Sequence, residues 1–208
     1  MKIKTLEVAG FHSAIKAMRN PMDSWSKSDT KTGRVGEKDR ELSMKLAKAG
    51  TEHAKHLRMI MVWADITAPR YWWTEFDTYR AGVEKVSCST MHTLMKHPLT
   101  VDDFEKDSIP VGNSAFSHLL DELNRDMELY NKTETGKLLL WRGIIQQLPQ
   151  SFLQTRTIMM SYAALRNIYR QREGHKLGEW RIFREWAEKL PESWMITDQI
   201  PEKDGEDD

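Results

Sequence analysis

The chain has 208 residues, and its 31 lysines and arginines are balanced by 31 aspartates and glutamates, so its formal net charge is zero. This balance argues against a dedicated nucleic-acid-binding surface, which needs an excess of positive charge. A mean hydropathy of -0.63, with no apolar run near the roughly 18 residues of a spanning helix, argues against a membrane protein.

The charge is unevenly distributed along the chain. Residues 196–208 contain six acidic residues and one basic residue, which leaves 30 basic and 25 acidic residues in the remainder. A mildly basic body can attract a small anionic ligand such as a nucleotide, or the excess can be solvated surface. We predict a single domain over residues 1–197 and an acidic disordered tail over residues 198–208. A lone cysteine, Cys88, and a charged N-terminal segment predict a cytoplasmic protein.

Hydrophobic periodicity predicts the elements of the first half of the chain. They are a strand over 2–9, a helix over 11–19, a mobile loop or ligand-covering lid over 21–38, a helix over 39–49, a strand buried on both faces over 57–66, and a helix over 68–80 capped by Thr67. The last helix would place Trp72, Phe76 and Arg80 on one face. Burying Arg80 there is costly unless it meets an anion such as phosphate or pairs with a nearby glutamate. Both alternatives are open.

The second half reads as mostly helical. A segment of small and polar residues over 83–92 and a mixed-charge loop over 98–112 precede the predicted elements. These are helices over 113–131 and 134–147, a strand over 152–160, and helices over 161–172 and 177–190. The order predicts a mixed α/β (α+β) fold with few strands and long helices, and not the regular alternation of a doubly wound sheet.

Motifs with general chemical meaning are scarce. The sequence has neither a P-loop nor a dinucleotide-binding glycine motif. His53 and His56 have the spacing of a metal-ligand pair, but no cysteine or carboxylate at ligand spacing completes the set, so we predict no metal site. Arg166, Arg170 and Arg172, on one predicted helix, form a basic cluster with Arg156 on the preceding predicted strand, and such a cluster is suited to an anion.

Two stretches of the sequence, which cover much of residues 53–92 and 148–182, resemble the flavin-dependent thymidylate synthases. The first is Ala68-Pro69 followed by Thr78-Tyr79-Arg80, which is similar to the family's "Ala-Pro … Gln-Trp-x-Arg-His-Arg". The second begins at Leu148-Pro149, continues through Ser161, Leu165, Asn167 and Arg172, and ends at Glu179-Trp180-Arg181. The resemblance implies the thymidylate-synthase-complementing-protein-like fold, a small mixed sheet flanked by long helices, assembled as a homotetramer.

The resemblance also implies a set of site residues. The residues implied to bind FAD are His53, Thr78, Tyr79, Arg80 and Asn167. The residues implied to bind a uracil deoxynucleotide such as dUMP are Glu75, Ser87, Ser89, Arg142 and Arg172. Arg80 and Arg172 are the implied catalytic residues, since arginines and the cofactor activate the uracil in this family. NADPH and methylenetetrahydrofolate are the implied co-substrates.

The chain departs from the family pattern at several of these positions. Thr78 and Tyr79 stand where the family has arginine and histidine, Glu75 stands where it has glutamine, and Val83 stands where it has serine. Two functions therefore remain open. One is FAD-dependent one-carbon transfer to C5 of the uracil base. The other is a nucleotide-binding protein on the same scaffold that has lost the reaction and binds or sequesters a nucleotide, such as a signalling nucleotide.

Overall fold

The computed structural model describes residues 1–106 and 114–199. Its strands are Lys2–Ala9 (β1), Met61–Pro69 (β2), Val83–Ser87 (β3) and Leu153–Ser161 (β4). Its helices are Phe11–Met18 (α1), Glu37–Ala49 (α2), Arg70–Phe76 (α3), Thr90–Thr93 (α4), Ser114–Lys132 (α5), Lys137–Gln147 (α6), Tyr162–Gln171 (α7), Gly178–Glu188 (α8) and Trp194–Thr197 (α9). Within these ranges, no helix is both long and apolar enough to cross a bilayer.

The four strands form one sheet in the order β1-β2-β4-β3. The Oγ1 atoms of Thr67 and Thr155 lie 2.7 Å apart, and Oγ1 of Thr157 donates to Asp65 at 2.6 Å, so β2 and β4 run antiparallel. The small sheet with long helices confirms the predicted mixed α/β class. Strand β3 was not predicted from the sequence, because its residues lack the apolar alternation of a strand with one buried face.

The predicted boundary between β2 and α3 is wrong. Thr67, expected to cap a helix, instead lies within β2 with its hydroxyl against Thr155. The helix begins only at Arg70, whose backbone N–H donates to the carbonyl of Phe152 at 3.1 Å. It ends at Phe76. Pairing with β4 therefore extends the strand at the expense of the helix, because it satisfies backbone groups that the sequence pattern assigns to a first helical turn.

Strand β2 was also predicted to be buried on both faces. The structure buries alternate residues instead, Val62, Ala64 and Ile66 among them, while the residues between them stay partly exposed. Helix α7 begins where predicted, because the hydroxyl of Ser161 accepts from the backbone N–H of Ala164 and caps it.

The described chain forms two compact units. Unit 1 comprises Met1–Lys2, Thr67–Asp77 and the described residues of Val86–Arg156. Its core lies around the α5–α6 pair and contains Leu94, Leu99, Phe104, Leu123, Met127, Ile144 and Leu148. The single domain predicted over residues 1–197 stays a prediction.

Unit 2 comprises Ile3–Ile66, Thr78–Lys85 and the described residues of Thr157–Asp208. Helix α7 packs against α8, α9 and the short 3-10 helix Lys55–Arg58. Its largest fully buried side chains include Trp180, Tyr162 and Phe183. Asp198, the first residue of the predicted tail, forms ion pairs with two arginines of α7, and residues 200–208 of that tail lie outside the described residues.

The predicted loop over 21–38 is anchored to the first turns of α2. Asp39 is fully buried and accepts hydrogen bonds from Nε of Arg19 (2.6 Å), from Oγ of Ser28 (2.6 Å) and from the backbone and hydroxyl of Thr30. Asp29 in turn accepts from the N–H of Asp39. Burial alone would raise the pKa of the Asp39 carboxyl, but the hydrogen bonds from Ser28, Thr30 and Arg19 outweigh it, so this pKa lies below its usual value.

We therefore expect Asp39→Asn to lower the free energy of unfolding at pH 7 by about 3–5 kcal/mol, because buried Arg19 loses its counter-charge. The folded-state pKa of Asp39 is depressed, so its contribution is present above the unfolded-state pKa and is lost as the pH falls through the folded-state value. The difference between wild type and variant in urea unfolding should accordingly shrink in acid.

The control is Asp102→Asn, which removes the same charge from an exposed pair with Lys106 and should leave unfolding nearly unchanged. Equal unfolding curves for the two variants would contradict the assigned role of Asp39.

Candidate functional site

A cavity of about 800 Å³ lies in unit 2. Three stretches of chain line it: residues from Ala47 at the end of α2 to Met61 at the start of β2, Ala81-Gly82 before β3, and Ser161 with one side of α7. This volume is within the range of about 300–1,000 Å³ that small-molecule and cofactor sites occupy.

The two sequence blocks of the family resemblance meet beside this cavity. The backbone N–H of Ser161 donates to the carbonyl of Gly82 at 3.0 Å. Gly82 has a φ of +70°, and a Cβ atom at this position would lie 2.8 Å from Oγ of Ser161. Only glycine suits both the left-handed backbone and the close approach. The segment before β3 is thereby fixed against the start of α7.

Basic side chains dominate the charge of the cavity lining. Lys48, Arg58, Arg166 and Arg170 line it together with the amide of Asn167, and no aspartate or glutamate belongs to its described lining. Four cationic groups around one concave surface favour an anionic ligand, and guanidinium groups bind phosphate through two parallel hydrogen bonds.

Two of the residues implied to bind flavin lie at or beside the cavity. Asn167 lines it, and its Oδ1 atom accepts from Nε2 of Gln171 at 3.0 Å, one turn further along α7. His53 is exposed in the turn after α2, between Thr51 and Ala54, which both line the cavity. The turn is closed by the backbone N–H of His53, which donates to the carbonyl of Gly50 at 3.1 Å.

Tyr79 and Arg172 are in direct contact. Nε of Arg172 donates to the hydroxyl of Tyr79 at 2.8 Å, and its guanidinium carbon lies 4.3 Å from the ring centroid of Trp180. This hydrogen bond, between residues 93 positions apart in the chain, is a second contact between the two sequence blocks, after that of Gly82 with Ser161. The arginine implied to bind the nucleotide is held in the structure by a tyrosine that stands where the family has histidine.

Arg80 does not lie on the aromatic face of α3. The helix ends at Phe76, and Thr78 and Arg80 are exposed in the loop that follows. The prediction that Arg80 lies on this face is wrong, so the cost of burying it against Trp72 does not arise and neither alternative, an anion or a glutamate partner on that face, is required. Arg80 immediately precedes Ala81, which lines the cavity.

The remaining residues implied to bind nucleotide belong to unit 1. Glu75 is half-buried on α3, Ser87 ends β3, and Arg142 is exposed on α6. Ser89 precedes α4, and its carbonyl accepts from Oγ1 of Thr93 at 2.8 Å.

Arg156, the fourth arginine near the predicted basic cluster, is committed to a different set of partners in unit 1. Its Nη1 atom lies 2.8 and 3.1 Å from the two carboxylate oxygens of Asp77, and its Nε donates to Gln154 at 3.0 Å. Its guanidinium also lies over Trp73, 4.3 Å from the ring centroid. These contacts satisfy the charge of Arg156 within the chain, as in a structural ion pair.

His53 and His56, which have the spacing of a metal-ligand pair, differ in their burial. His56 is buried, and its Nε2 atom lies 2.7 Å from Oγ of Ser43, whereas His53 is exposed. Burial, with a smaller effect from the charge of Arg166, lowers the pKa of His56 to about 4, so its ring is neutral at physiological pH. Among the described residues no cluster of three or more potential metal ligands is found.

Sequence reasoning missed Lys48, Thr51 and Arg58 of the lining, and it missed Asp198, which contacts the lining. Its carboxylate bridges Arg166 and Arg170, two residues of the lining. The i, i+4 spacing of these arginines places them on one face of α7. Nothing in the local sequence indicates that the first residue of an acidic tail would reach them.

Comparison with known proteins gives a likeness of fold. No family model matches the sequence, and no curated protein matches it. Two crystal structures of the flavin-dependent thymidylate synthase ThyX from Helicobacter pylori, each with FAD and dUMP, are similar to it at 18% sequence identity. The alignments cover 95% of this chain with 99% and 98% of the other, at TM-scores of 0.72 and 0.71. The described fold is therefore that of these structures.

We expect Gly82→Ala to lower the free energy of unfolding by about 1–3 kcal/mol, because alanine adds both left-handed backbone strain and a clash with Ser161. The matched control is Gly33→Ala. Gly33 has a φ of +88° with nothing within 4 Å of the added Cβ, so only the backbone strain applies. Thermal unfolding of both variants measures the difference, and a loss for Gly82→Ala no larger than for Gly33→Ala would contradict the close approach.

Proposed function

We propose that this chain is a flavin-dependent thymidylate-synthase-like protein that binds FAD and a uracil deoxynucleotide such as dUMP and transfers a one-carbon group to C5 of the base. One observation carries the proposal: a cavity of cofactor size whose lining draws on both sequence blocks of the family resemblance and is cationic. The H. pylori structures with the same fold hold FAD and dUMP.

The donor set of the cavity fits FAD, whose diphosphate carries negative charge. The lining supplies four basic side chains and no carboxylate among its described residues, although two of the four, Arg166 and Arg170, pair with the nearby carboxylate of Asp198. The side chain of Arg166 is only 8% exposed, and its Nη2 atom lies 2.5 Å from Oδ1 of Asp198 without a well-aligned hydrogen bond. A buried guanidinium N–H without an aligned acceptor is costly and is satisfied by a phosphate oxygen.

The proposed roles follow the implied residues. Asn167, His53 and Arg80, with Thr78 and Tyr79, hold the flavin. Arg172, Ser87, Ser89, Glu75 and Arg142 hold the nucleotide. FAD, when bound, supplies hydride chemistry, with NADPH as its reductant and methylenetetrahydrofolate as the carbon donor. The guanidinium groups of Arg80 and Arg172 favour negative charge on the uracil ring and orient it.

A second candidate function is a nucleotide-binding protein that no longer carries out the reaction. The contact between Arg172 and Tyr79 favours it, because the guanidinium is held by the chain's own hydroxyl and by Trp180. A nucleotide would have to share or replace these contacts. Binding can survive such a change, whereas catalysis depends on placement to a fraction of an ångström.

We also propose a homotetramer. Helix α6 in unit 1 exposes Leu138 and Leu139, whose side chains are 67% and 74% accessible. Adjacent exposed leucines on one helix are suited to burial against another copy. Light scattering on the purified protein tests the mass.

We expect the purified protein to be yellow, or to become so on addition of FAD, with the visible absorption band of an oxidised flavin. Asn167→Ala should weaken FAD binding by roughly 1–3 kcal/mol, because it removes a polar group of the lining. Asn131→Ala, an exposed asparagine of α5 in unit 1, is the matched control and should leave FAD binding unchanged. A colourless protein that takes up no FAD would contradict the flavin assignment.

We expect Arg172→Ala to weaken dUMP binding to the FAD-loaded protein by roughly 1–3 kcal/mol, measured by calorimetry, because a charged phosphate or base contact is lost. The control is Arg181→Ala, an arginine that is 80% exposed on α8. A thymidylate assay with NADPH and methylenetetrahydrofolate then separates the two candidates. Product formation supports the enzyme, whereas bound FAD and dUMP without product support the binding protein. Equal dUMP affinity in both variants would remove Arg172 from the site.

A further inference from the structure

One carboxylate of the chain occupies two arginines of the cavity lining. Oδ1 of Asp198 lies 2.5 Å from Nη2 of Arg166, and its Oδ2 atom pairs with Nη2 of Arg170. Both arginines belong to α7 and to the lining, and Asp198 directly follows α9. The three charged groups thus lie together at one side of the cavity in unit 2.

The fit between these groups is incomplete. Arg166 is buried, and its Nη1 atom donates to the carbonyl of Met195 at 3.1 Å. Its Nη2 atom is close to Asp198, but no acceptor among the described residues is aligned with its N–H groups. Asp198 itself has a φ of +64°, a conformation that costs free energy for a residue with a side chain. The carboxylate therefore neutralises Arg166 without giving it a well-aligned hydrogen bond.

A phosphate would serve the same two arginines better than this carboxylate does. The terminal phosphate of a nucleotide offers three terminal oxygens and the diphosphate of FAD offers four over its two phosphorus atoms, where the carboxylate offers two, and both carry more negative charge than the carboxylate. Lys48 and Arg58, on another stretch of the lining, supply further positive charge. Arg170 is largely exposed, so its N–H groups can be reached from solvent.

We propose that Arg166 and Arg170 form a phosphate subsite of the cavity and that Asp198 is an internal competitor, which an incoming phosphate displaces. The proposal rests on the proposed function only for the identity of the phosphate carrier, FAD or a nucleotide. The subsite itself needs only a phosphate group. In the resting protein the carboxylate of Asp198 keeps the buried charge of Arg166 neutralised.

Competition between the Asp198 carboxylate and a phosphate for the two arginines lowers the apparent affinity for phosphate by an amount that can be calculated. The apparent affinity for phosphate falls in proportion to the fraction of molecules in which the two arginines are available. Removing the carboxylate while retaining a side chain of similar size should raise that fraction to nearly one. The affinity for the ligand should rise even though the folded protein loses an ion pair.

The test measures binding of inorganic diphosphate to the full chain by calorimetry. Asp198→Asn should tighten diphosphate binding about tenfold, because the competing charge is removed. Arg170→Gln in the same background should abolish the gain. Asp102→Asn, which removes an equal charge from an exposed pair with Lys106, should leave diphosphate affinity unchanged.

Diphosphate binding to Arg170→Gln and titrations with FAD and dUMP complete the test. If Asp198→Asn does not fold, Arg170→Gln alone, at an exposed position, should weaken diphosphate binding about tenfold. Repeating the titrations with FAD and with dUMP shows which molecule carries the phosphate, since only that ligand gains affinity in Asp198→Asn.

Unchanged diphosphate affinity in a folded Asp198→Asn protein, or in Arg170→Gln if that is the variant measured, would overturn the proposal. This failure is distinguishable from failure of the proposed function. Diphosphate binding governed by Asp198 in a protein that takes up no FAD would retain the subsite and reject the flavin. Unchanged diphosphate affinity in a folded Asp198→Asn protein that does take up FAD would reject the subsite and retain the flavin.

Discussion

The arrangement of the cavity depends on the close approach of Gly82 to Ser161. This contact fixes the segment before β3 against the start of α7, and it leaves room for no side chain at residue 82. Asn167, Arg166 and Arg170 follow on α7, and Thr78, Tyr79 and Arg80 come just before Gly82. A backbone hydrogen bond across 79 residues of sequence thus holds the two family-like blocks together.

Arg156 and Arg166 differ in how well other residues of the chain provide hydrogen-bond acceptors for their guanidinium N–H groups. Arg156 donates through Nε to Gln154 and through Nη1 to Asp77, and it lies over the face of Trp73, which is typical of a structural residue. Arg166 has a close carboxylate but no aligned acceptor for Nη2. A guanidinium that is buried yet incompletely hydrogen-bonded gains from a better anion, and for that reason charge alone is a weaker guide to a binding site than hydrogen-bond geometry.

A shared fold at 18% identity leaves the chemistry to the individual side chains. Tyr79 stands at a position where the resemblance implies a histidine, and its hydroxyl accepts a hydrogen bond from Arg172. The sequence alone suggests that a ligand-binding group is lost at residue 79. The structure shows that the tyrosine there also makes a hydrogen bond within the chain. The scaffold can therefore keep a cationic cavity while the polar groups around it exchange partners.

The sequence by itself determined the fold class and the helices α1, α2, α7 and α8 to within a few residues, because apolar periodicity and capping residues act locally. Its resemblance to the flavin-dependent thymidylate synthases also anticipated the likeness of fold to the H. pylori structures. The sequence also indicated the basic cluster on α7. Only the tertiary structure decided the early end of α3, the exposure of Arg80, the presence of β3 and the capture of Arg166 and Arg170 by Asp198. Each of these depends on pairing between residues distant in sequence, and a local pattern carries no information about which distant partner a strand edge or a charged side chain will find.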